Sequence, residues 1–334
     1  MDFGGPCALQ MGKMMRNTLH AGRCAYVGLS GLKWVTSLLV VLATQAHAAE
    51  GDLLASAHGK SLDAELLPTT EAPTTTDFFS QSISLFASKN IKFGPKPVSD
   101  IYAEYEYYGR QGPFELYGYI DVNKVFNIGN KNDHGIWDDG SPIFMEHEPR
   151  ISIDSLLGKG LAVGPFKEFY LAFDWLYDNG DNKQGRSNVL YSGLGVDIDT
   201  HSPVNLAFNF YARRNYENYG LANENSWDGY RAQLEYNAPI TTFSDGATLG
   251  FIGYTNYDYK SRLPGEYGDA FTNDSLVMAN RVAYIHKQLK LMLTGYYFHN
   301  SSNYANGAEL DYGEGPFKAN SNGIGYSFSM GYQF

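Results

Sequence analysis

The sequence predicts an all-β protein, a transmembrane antiparallel β-barrel of twelve strands with short periplasmic turns and long extracellular loops. Three observations carry that prediction. Beyond residue 77 polar and apolar residues alternate strictly over stretches of nine or more; the chain holds 26 Tyr, 20 Phe and 4 Trp; and an unbroken apolar stripe ends on the C-terminal Phe334. Period two is the mark of a strand, and nine or more residues is membrane-spanning length rather than the five or six usual in soluble sheets. Tyr and Trp supply the aromatic girdles at the two membrane surfaces.

The N-terminus sets the compartment. Lys13, Arg16, Arg23 and Lys33 precede an apolar run from Trp34 to Ala43, and Ala46-His47-Ala48 offers small residues around a cleavage point. That is the layout of a secretory signal peptide, expected to span residues 1–48, with Met1, Met11, Met14 and Met15 all usable as starts. An apolar core of about ten residues is too short to cross a bilayer comfortably as an anchor. The leader removes four of the 25 basic residues, one of the 36 acidic residues and both cysteines, Cys7 and Cys24. The mature chain therefore has no thiol, which excludes disulfides, cysteine nucleophiles and thiolate metal sites. Its acidic balance and lack of a basic patch argue against nucleic acid as a partner. Residues 49–78, rich in Ala, Leu, acidic residues, Pro and Thr, read as a flexible periplasmic tail, with a plug inside the barrel as the alternative.

Strands are expected at 80–89, 100–108, 114–123, 143–154, 166–178, 187–199, 203–216, 227–237, 247–260, 275–287, 289–300 and 323–334. In the second, Asp100, Tyr102, Glu104, Glu106 and Tyr108 oppose Ile101, Ala103, Tyr105 and Tyr107. In the third, Glu115, Tyr117, Tyr119, Asp121 and Asn123 oppose Phe114, Leu116, Gly118, Ile120 and Val122. The fourth sets Glu146, Glu148, Arg150, Ser152 and Asp154 against Ile143, Met145, Ile151 and Ile153, with His147 and Pro149 interrupting its apolar side. In the last, Ile324, Tyr326, Phe328, Met330, Tyr332 and Phe334 form the oily face. Loops after odd-numbered strands are long (124–141, 260–274, 301–322). Turns after even-numbered strands tend to be short, 155–165 and 238–246 being longer than that rule expects.

Closure follows from energetics. An unpaired backbone amide facing lipid costs several kcal/mol, so no open sheet edge survives there. The rival architecture, a secreted sandwich, also alternates but presents its polar faces to bulk water. Long strands whose polar sides mix carboxylates, Arg and Tyr suit a wet lumen better.

Under this register the candidate lumen residues are Tyr102, Glu104, Tyr117, Tyr119, Glu146, Arg150, Glu168, Tyr170, Asp174, Tyr191, Tyr211, Arg213, Trp227, Arg231 and Glu235. Aromatic faces beside carboxylates and guanidiniums suit a flat ring carrying hydroxyls: stacking contributes roughly 1–3 kcal/mol per base, and charge-assisted hydrogen bonds orient the rest. A sugar uses the same parts, and many of these residues are equally able to fill a narrow barrel and neutralise one another.

Several strings then match a known pattern. Lys92-Phe93-Gly94-Pro95, Gly135-Ile136-Trp137, Gly140-Ser141-Pro142-Ile143-Phe144-Met145-Glu146, Glu148-Pro149-Arg150, Gly164-Pro165-Phe166-Lys167-Glu168, Gly193-Leu194-Gly195-Val196-Asp197-Ile198-Asp199 and Ala222-Asn223-Glu224-Asn225-Ser226-Trp227-Asp228-Gly229-Tyr230-Arg231 resemble the Tsx-like nucleoside-specific channel-forming outer-membrane proteins, including the OmpK-type proteins. The resemblance spans residues 79–334 and thins over the last 75 residues. It implies a monomeric twelve-stranded barrel with a narrow channel that passes nucleosides by diffusion. Phe93 falls on the Phe of the family's Phe-Gly-Pro motif, similar to a residue implicated in nucleoside binding, and Gly94 is expected to turn the chain beside it. Glu104 and the Glu146, Glu148, Arg150 group match by motif. The terminal Phe334 resembles the signal read by the barrel assembly machinery. Family members also serve as bacteriophage or colicin receptors, which implies that the long loops form a docking surface.

The substrate-binding set carried forward is Phe93, Tyr102, Glu104, Tyr117, Glu146, Arg150, Tyr170, Asp174, Arg213, Trp227 and Arg231, in a passive, saturable channel with no cofactor. Arg150 is expected to pair with Glu146 and Glu148 and narrow the pore, and the carboxylate excess to repel nucleotides. The alternative is a surface receptor with only general small-solute porin activity. Enzyme motifs are missing: no Gly-x-Ser-x-Gly, Walker or His-Glu-x-x-His spacing occurs, and 178–185 lacks the ligand spacing of a calcium loop. A barrel esterase needs a Ser–His pair at the rim, whereas His147 is expected to face lipid.

Overall fold

Alternation at this length pays off only if each strand finds a partner on both sides. In a computed structural model, which describes residues 77–129, 143–180, 183–312 and 315–334, twelve strands do so. They are β1 (Phe78–Lys89), β2 (Ile101–Gln111), β3 (Phe114–Val122), β4 in two pieces (Ile143–His147 and Arg150–Ser152), β5 (Phe166–Asn179), β6 (Arg186–Ile198), β7 (Asn205–Asn218), β8 (Ser226–Thr242), β9 (Thr248–Tyr259), β10 (Asp274–His286), β11 (Leu289–His299) and β12 (Gly323–Gln333). Each pairs antiparallel with its sequence neighbours, and β12 returns to β1, with Ser82 opposite Gln333 and Lys89 opposite Tyr326. The sheet is a closed barrel. The expected signal segment 1–48 and the tail up to residue 76 lie outside the described residues.

The two faces of each strand separate cleanly. On β12, Ser327, Ser329 and Gln333 are buried toward the lumen while Ile324, Tyr326, Phe328, Met330, Tyr332 and Phe334 are exposed on the outer wall. In water such a stripe would be a large apolar patch; against acyl chains it is a solvated surface. His147 also faces outward. Its ring lies 5.6 Å from Trp175, and its Nδ1 is 2.9 Å from the Tyr107 hydroxyl.

Three boundaries differ from the sequence reading. The segment 143–154 is broken at Glu148-Pro149, because proline has no N–H for the ladder, although Glu148 N still donates to Tyr117 O at 2.8 Å. Asp154 is not a lumen residue. Ser152 caps a short helix, Ile153–Leu157, by accepting from Ser155 N, and the Asp154 carboxylate accepts from Leu161 N (2.6 Å) and Phe169 N (2.9 Å), fastening the 153–165 turn. Strand β8 runs to Thr242, so the expected long link at 238–246 shrinks to 243–247.

The turn at 199–204 is held locally. The His201 backbone N–H donates to Asp199, and this bond, with Lys167 and His201 nearby, keeps the Asp199 carboxyl below its ordinary range. At the opposite end of the barrel the loops have structure of their own. A short helix, Leu263–Tyr267, and a two-residue ladder, Glu309–Leu310 with Phe317–Lys318, pack Leu263, Phe271, Tyr304, Leu310 and Ala319 into a separate apolar core. Most of the long loop expected at 124–141 lies outside the described residues.

Candidate functional site

The lumen is built by strand parity. Because side chains alternate, every second residue of each strand points inward, and neighbouring strands stack these positions side by side. Tyr102, Glu104, Tyr117, Glu146, Arg150, Tyr170, Asp174, Arg213 and Arg231 all lie on the inward face, as do Tyr119, Glu168, Tyr191, Tyr211 and Glu235.

Trp227 does not. It is 58% exposed on the outer wall, paired with Arg214 rather than with an inward position. The reason is a register slip between Ala212 and Arg214, opposite Gly229, whose φ is +79°. A Cβ at Gly229 would meet the Tyr259 carbonyl at 2.5 Å. The extra residue lets Asp228 and Arg231 both face inward and turns Trp227 out.

Toward the short-turn end, two guanidiniums and three carboxylates interlock around one phenol. Arg110 forms a fork on Glu168 (2.5 and 3.1 Å) and donates to the Tyr170 hydroxyl. Arg150 pairs with Glu115 at 2.8 Å and Asp197 at 2.9 Å, and its guanidinium lies 3.8 Å over the Tyr170 ring. Tyr170 in turn donates to Asp197 at 2.7 Å. The expected pairing of Arg150 with Glu146 and Glu148 does not occur. Residues two apart on one strand are about 7 Å apart, whereas Glu115 stands directly across on β3. Glu146 instead accepts from the Tyr119 hydroxyl, and Glu148 from Gln233 at 3.0 Å.

A second group sits nearer the loops. Arg231 bridges Asp174 (2.6 Å) and Asp258 (2.9 Å), donates to the Tyr191 hydroxyl and lies 3.8 Å over that ring. Above it Arg213 pairs with Asp228 at 3.0 Å and reaches Asn303 of the last long loop at 3.3 Å. On the opposite wall Lys290, fully buried, is bound to Glu106 at 2.5 Å.

Phe93 lies at the mouth. Its ring is 52% exposed and stands edge-on to Phe298 (5.3 Å) and Tyr296 (6.3 Å), both inward residues of β11. The segment is pinned from both sides: Lys92 Nζ donates to Asn320 Oδ1 at 2.6 Å, and Ser302 Oγ to the Phe93 carbonyl at 2.8 Å. Burial of Lys92 lowers its ammonium pKa. Gly94 is not among the glycines of positive φ; the left-handed residue that turns the chain into this loop is Asn90 (φ 60°).

The sequence reading passes over Arg281. It lies mid-way along β10 on the inward face, 8% exposed, with Tyr117, Tyr254, Tyr296 and Glu104 around it. Its signal is present in the sequence, because a guanidinium at mid-span costs about 2–4 kcal/mol on the lipid face and so selects the lumen. Among the described residues no group of three or more His, Cys, Asp or Glu has the arrangement of a metal site.

The chain is similar to known proteins over most of its length. A family model described as nucleoside-specific channel-forming protein, Tsx, matches residues 76–334. The nucleoside-specific channel-forming protein Tsx of Salmonella typhimurium is 44% identical over 259 residues, covering 78% of this chain and 89% of the relative. Its counterpart in Klebsiella pneumoniae is 41% identical over 265 residues, covering 78% and 90%. Outer membrane protein OmpK of Vibrio parahaemolyticus is 33% identical over 168 residues, covering 49% of this chain and 59% of that protein. Among solved structures, the NanC porin aligns over 76% of this chain and 98% of its own at 10% identity, with a TM-score of 0.41.

Proposed function

The chain belongs to the Tsx family of nucleoside-specific channel-forming proteins, and we propose that it is a passive, saturable channel that carries nucleosides across the outer membrane. The base stacks on aromatic rings, and the ribose hydroxyls are held by ionisable lumen residues. The observation that carries this reading is Phe93: a half-exposed aromatic ring fixed at the mouth, directly above an inward aromatic pair, Tyr296 and Phe298. An exposed ring held this firmly is a stacking platform, and stacking is tolerant of base identity. Tyr102, Glu104, Tyr117 and Glu146 continue the polar and aromatic track inward, while Arg150, Tyr170, Asp174, Arg213 and Arg231 shape its walls. The protein works as a monomer, and its C-terminal stripe ending in Phe334 is the contact for the barrel assembly machinery.

Single-channel current in planar bilayers tests this. Uridine and adenosine are expected to block ion current in a saturable way, and a sugar of similar size to block far less. Equal or absent block would remove the nucleoside assignment.

A second reading has its own observation. The loop residues 260–273, 300–312 and 315–322 form an apolar core of their own, with Leu263, Phe271 and Tyr304 nearly inaccessible. Such a rigid outer platform suits a bacteriophage or colicin receptor with only general porin activity. Loop deletion that abolishes adsorption and leaves nucleoside block intact would separate the two roles.

A further inference from the structure

Arginine side chains in this lumen are held by carboxylates, with one exception. Arg110, Arg150, Arg213 and Arg231 each form at least one buried ion pair. Arg281 is equally buried, yet among the described residues none forms an ion pair or hydrogen bond with it; its Nε is sealed from solvent, as are those of Arg110 and Arg150, while its two terminal nitrogens are not. A buried guanidinium left this way costs several kcal/mol unless something else accepts its hydrogen bonds. A ligand is the natural acceptor.

The surroundings fit a planar ring. Tyr254 and Tyr296 both stand opposite Ala279, the fully buried residue two before Arg281 on the same face, and both lie within electrostatic reach of the guanidinium. From the facing wall, Tyr102 and Glu104 of β2 and Tyr117 of β3 lie within electrostatic reach of Arg281. Below, Phe86 stacks on Tyr102 at 4.8 Å and packs with Ile252, Ala283 and Met292 as an apolar floor. The ligand thus meets rings on its faces, a guanidinium fork at one edge and a carboxylate close by.

We propose that Arg281 is a specificity-determining residue that reads the O6 and N7 acceptors of a 6-oxopurine nucleoside, while Glu104 accepts from the adjoining N1–H. A guanidinium offers donors only and prefers two parallel acceptors, which O6 and N7 supply. Adenine places an amino donor where O6 would be and an acceptor at N1, opposing both protein groups. Glu104 and the neighbouring Glu146 disfavour a phosphate at the same fork. This rests on the nucleoside-channel reading and deepens it.

The test uses the full-length protein in planar bilayers with four probes: inosine, 7-deazainosine, adenosine and inosine monophosphate. Inosine is expected to half-block the current at a concentration roughly five- to a hundredfold below that of adenosine. Loss of N7 in 7-deazainosine removes most of that margin, and this comparison needs no variant to fold. In Arg281→Lys and Arg281→Gln the ratio of adenosine to inosine half-block falls to within about twofold. Equal block of the unaltered channel by inosine and adenosine overturns the proposal and leaves the channel reading standing. So does tighter block by the monophosphate, which would assign the fork to phosphate, or an equal loss for both nucleosides in the variants. Block by none of the nucleosides would sink the channel reading, and this inference with it.

Discussion

Replacing Asp228 by asparagine is expected to release the outer loops while leaving the barrel closed. The Asp228 side chain is fully buried and accepts from the Arg213 guanidinium (3.0 Å), Asn223 Nδ2 (2.5 Å), Ser261 Oγ (3.1 Å) and the backbone N–H of Arg262 (2.7 Å). Three of those donors belong to loop segments, so one carboxylate ties the loops 219–225 and 260–273 to the rim. Asparagine keeps the shape, removes the counter-charge of a guanidinium only 9% exposed, and turns an amino group toward donors. Breaking one side of a buried pair costs about 3–5 kcal/mol. That favours the undocked loop by a factor of roughly a hundred to several thousand. The backbone ladder of β7, β8 and β9 does not pass through this carboxylate, so barrel unfolding should move much less. Limited proteolysis in detergent micelles measures the first quantity, and heat-modifiable gel mobility the second. Cleavage within 219–225 or 260–273 at a rate within about threefold of the unaltered protein would refute the reasoning. The double variant Arg213→Met with Asp228→Leu, which removes both charges, is expected to recover part of the loss.

Three further outcomes follow from the same geometry. Phe93→Ala is expected to raise the half-blocking nucleoside concentration by about five- to tenfold, the lower end of a stacking contribution because half the ring is already committed to Phe298 and Tyr296; unchanged block would exclude Phe93 from the site. Lys290→Met leaves the buried Glu106 carboxylate beside the neutral hydroxyls of Tyr117 and Ser82 (3.2 and 3.3 Å) without its ammonium and is expected to destabilise the barrel by about 3–5 kcal/mol in denaturant titration, much of it restored by adding Glu106→Gln; a loss below about 1 kcal/mol would mean that the pair is solvated. In the loop core, burial pushes the Tyr312 phenol up to about 12, against a partial offset from its bond with Tyr304. Since the folded value lies above the unfolded one, this contribution to loop docking is full below pH 10 and is lost as pH rises through about 12. Protease sensitivity of 300–322 should therefore climb only in that window, and an onset well below it would contradict the assignment.

The barrel was legible because its physics is local. Two-residue alternation, strand length and the need to pair every edge fix topology without reference to distant contacts, and the strand ends at Lys89, Asn179 and His286 fall within a residue or so of the sequence expectation. What failed were features decided by a single residue or by the third dimension. Gly229 inserts one extra residue and reverses the side on which Trp227 emerges. Of the string from Ala222 to Arg231, the sequence reading takes Trp227 and Arg231 as substrate-binding residues. In the structure much of it makes a turn: Asn223 and Asp228 bind each other, and Glu224 accepts from Asn218 N and Gly220 N. Arg281 is missed for a different reason. On β10 the inward face carries Val277, Ala279, Ala283 and Ile285, so oily residues line both sides and the contrast that marks the other strands is weak.

Partnering, more than position, separates residues that brace the lumen from those able to bind within it. Arg150 meets Glu115 and Asp197 and lies on the Tyr170 ring; Arg110 and Glu168 close the same group from the next strands. These side chains have their strongest bonds to one another, and a nucleoside competing for them would have to break charge-assisted contacts worth more than it offers. Arg281 differs in that no described carboxylate forms an ion pair with it, and it lies among Tyr117, Tyr254 and Tyr296, with Phe93 above it at the mouth. A solute entering from the loop end passes the half-exposed Phe93 ring before it reaches Arg281.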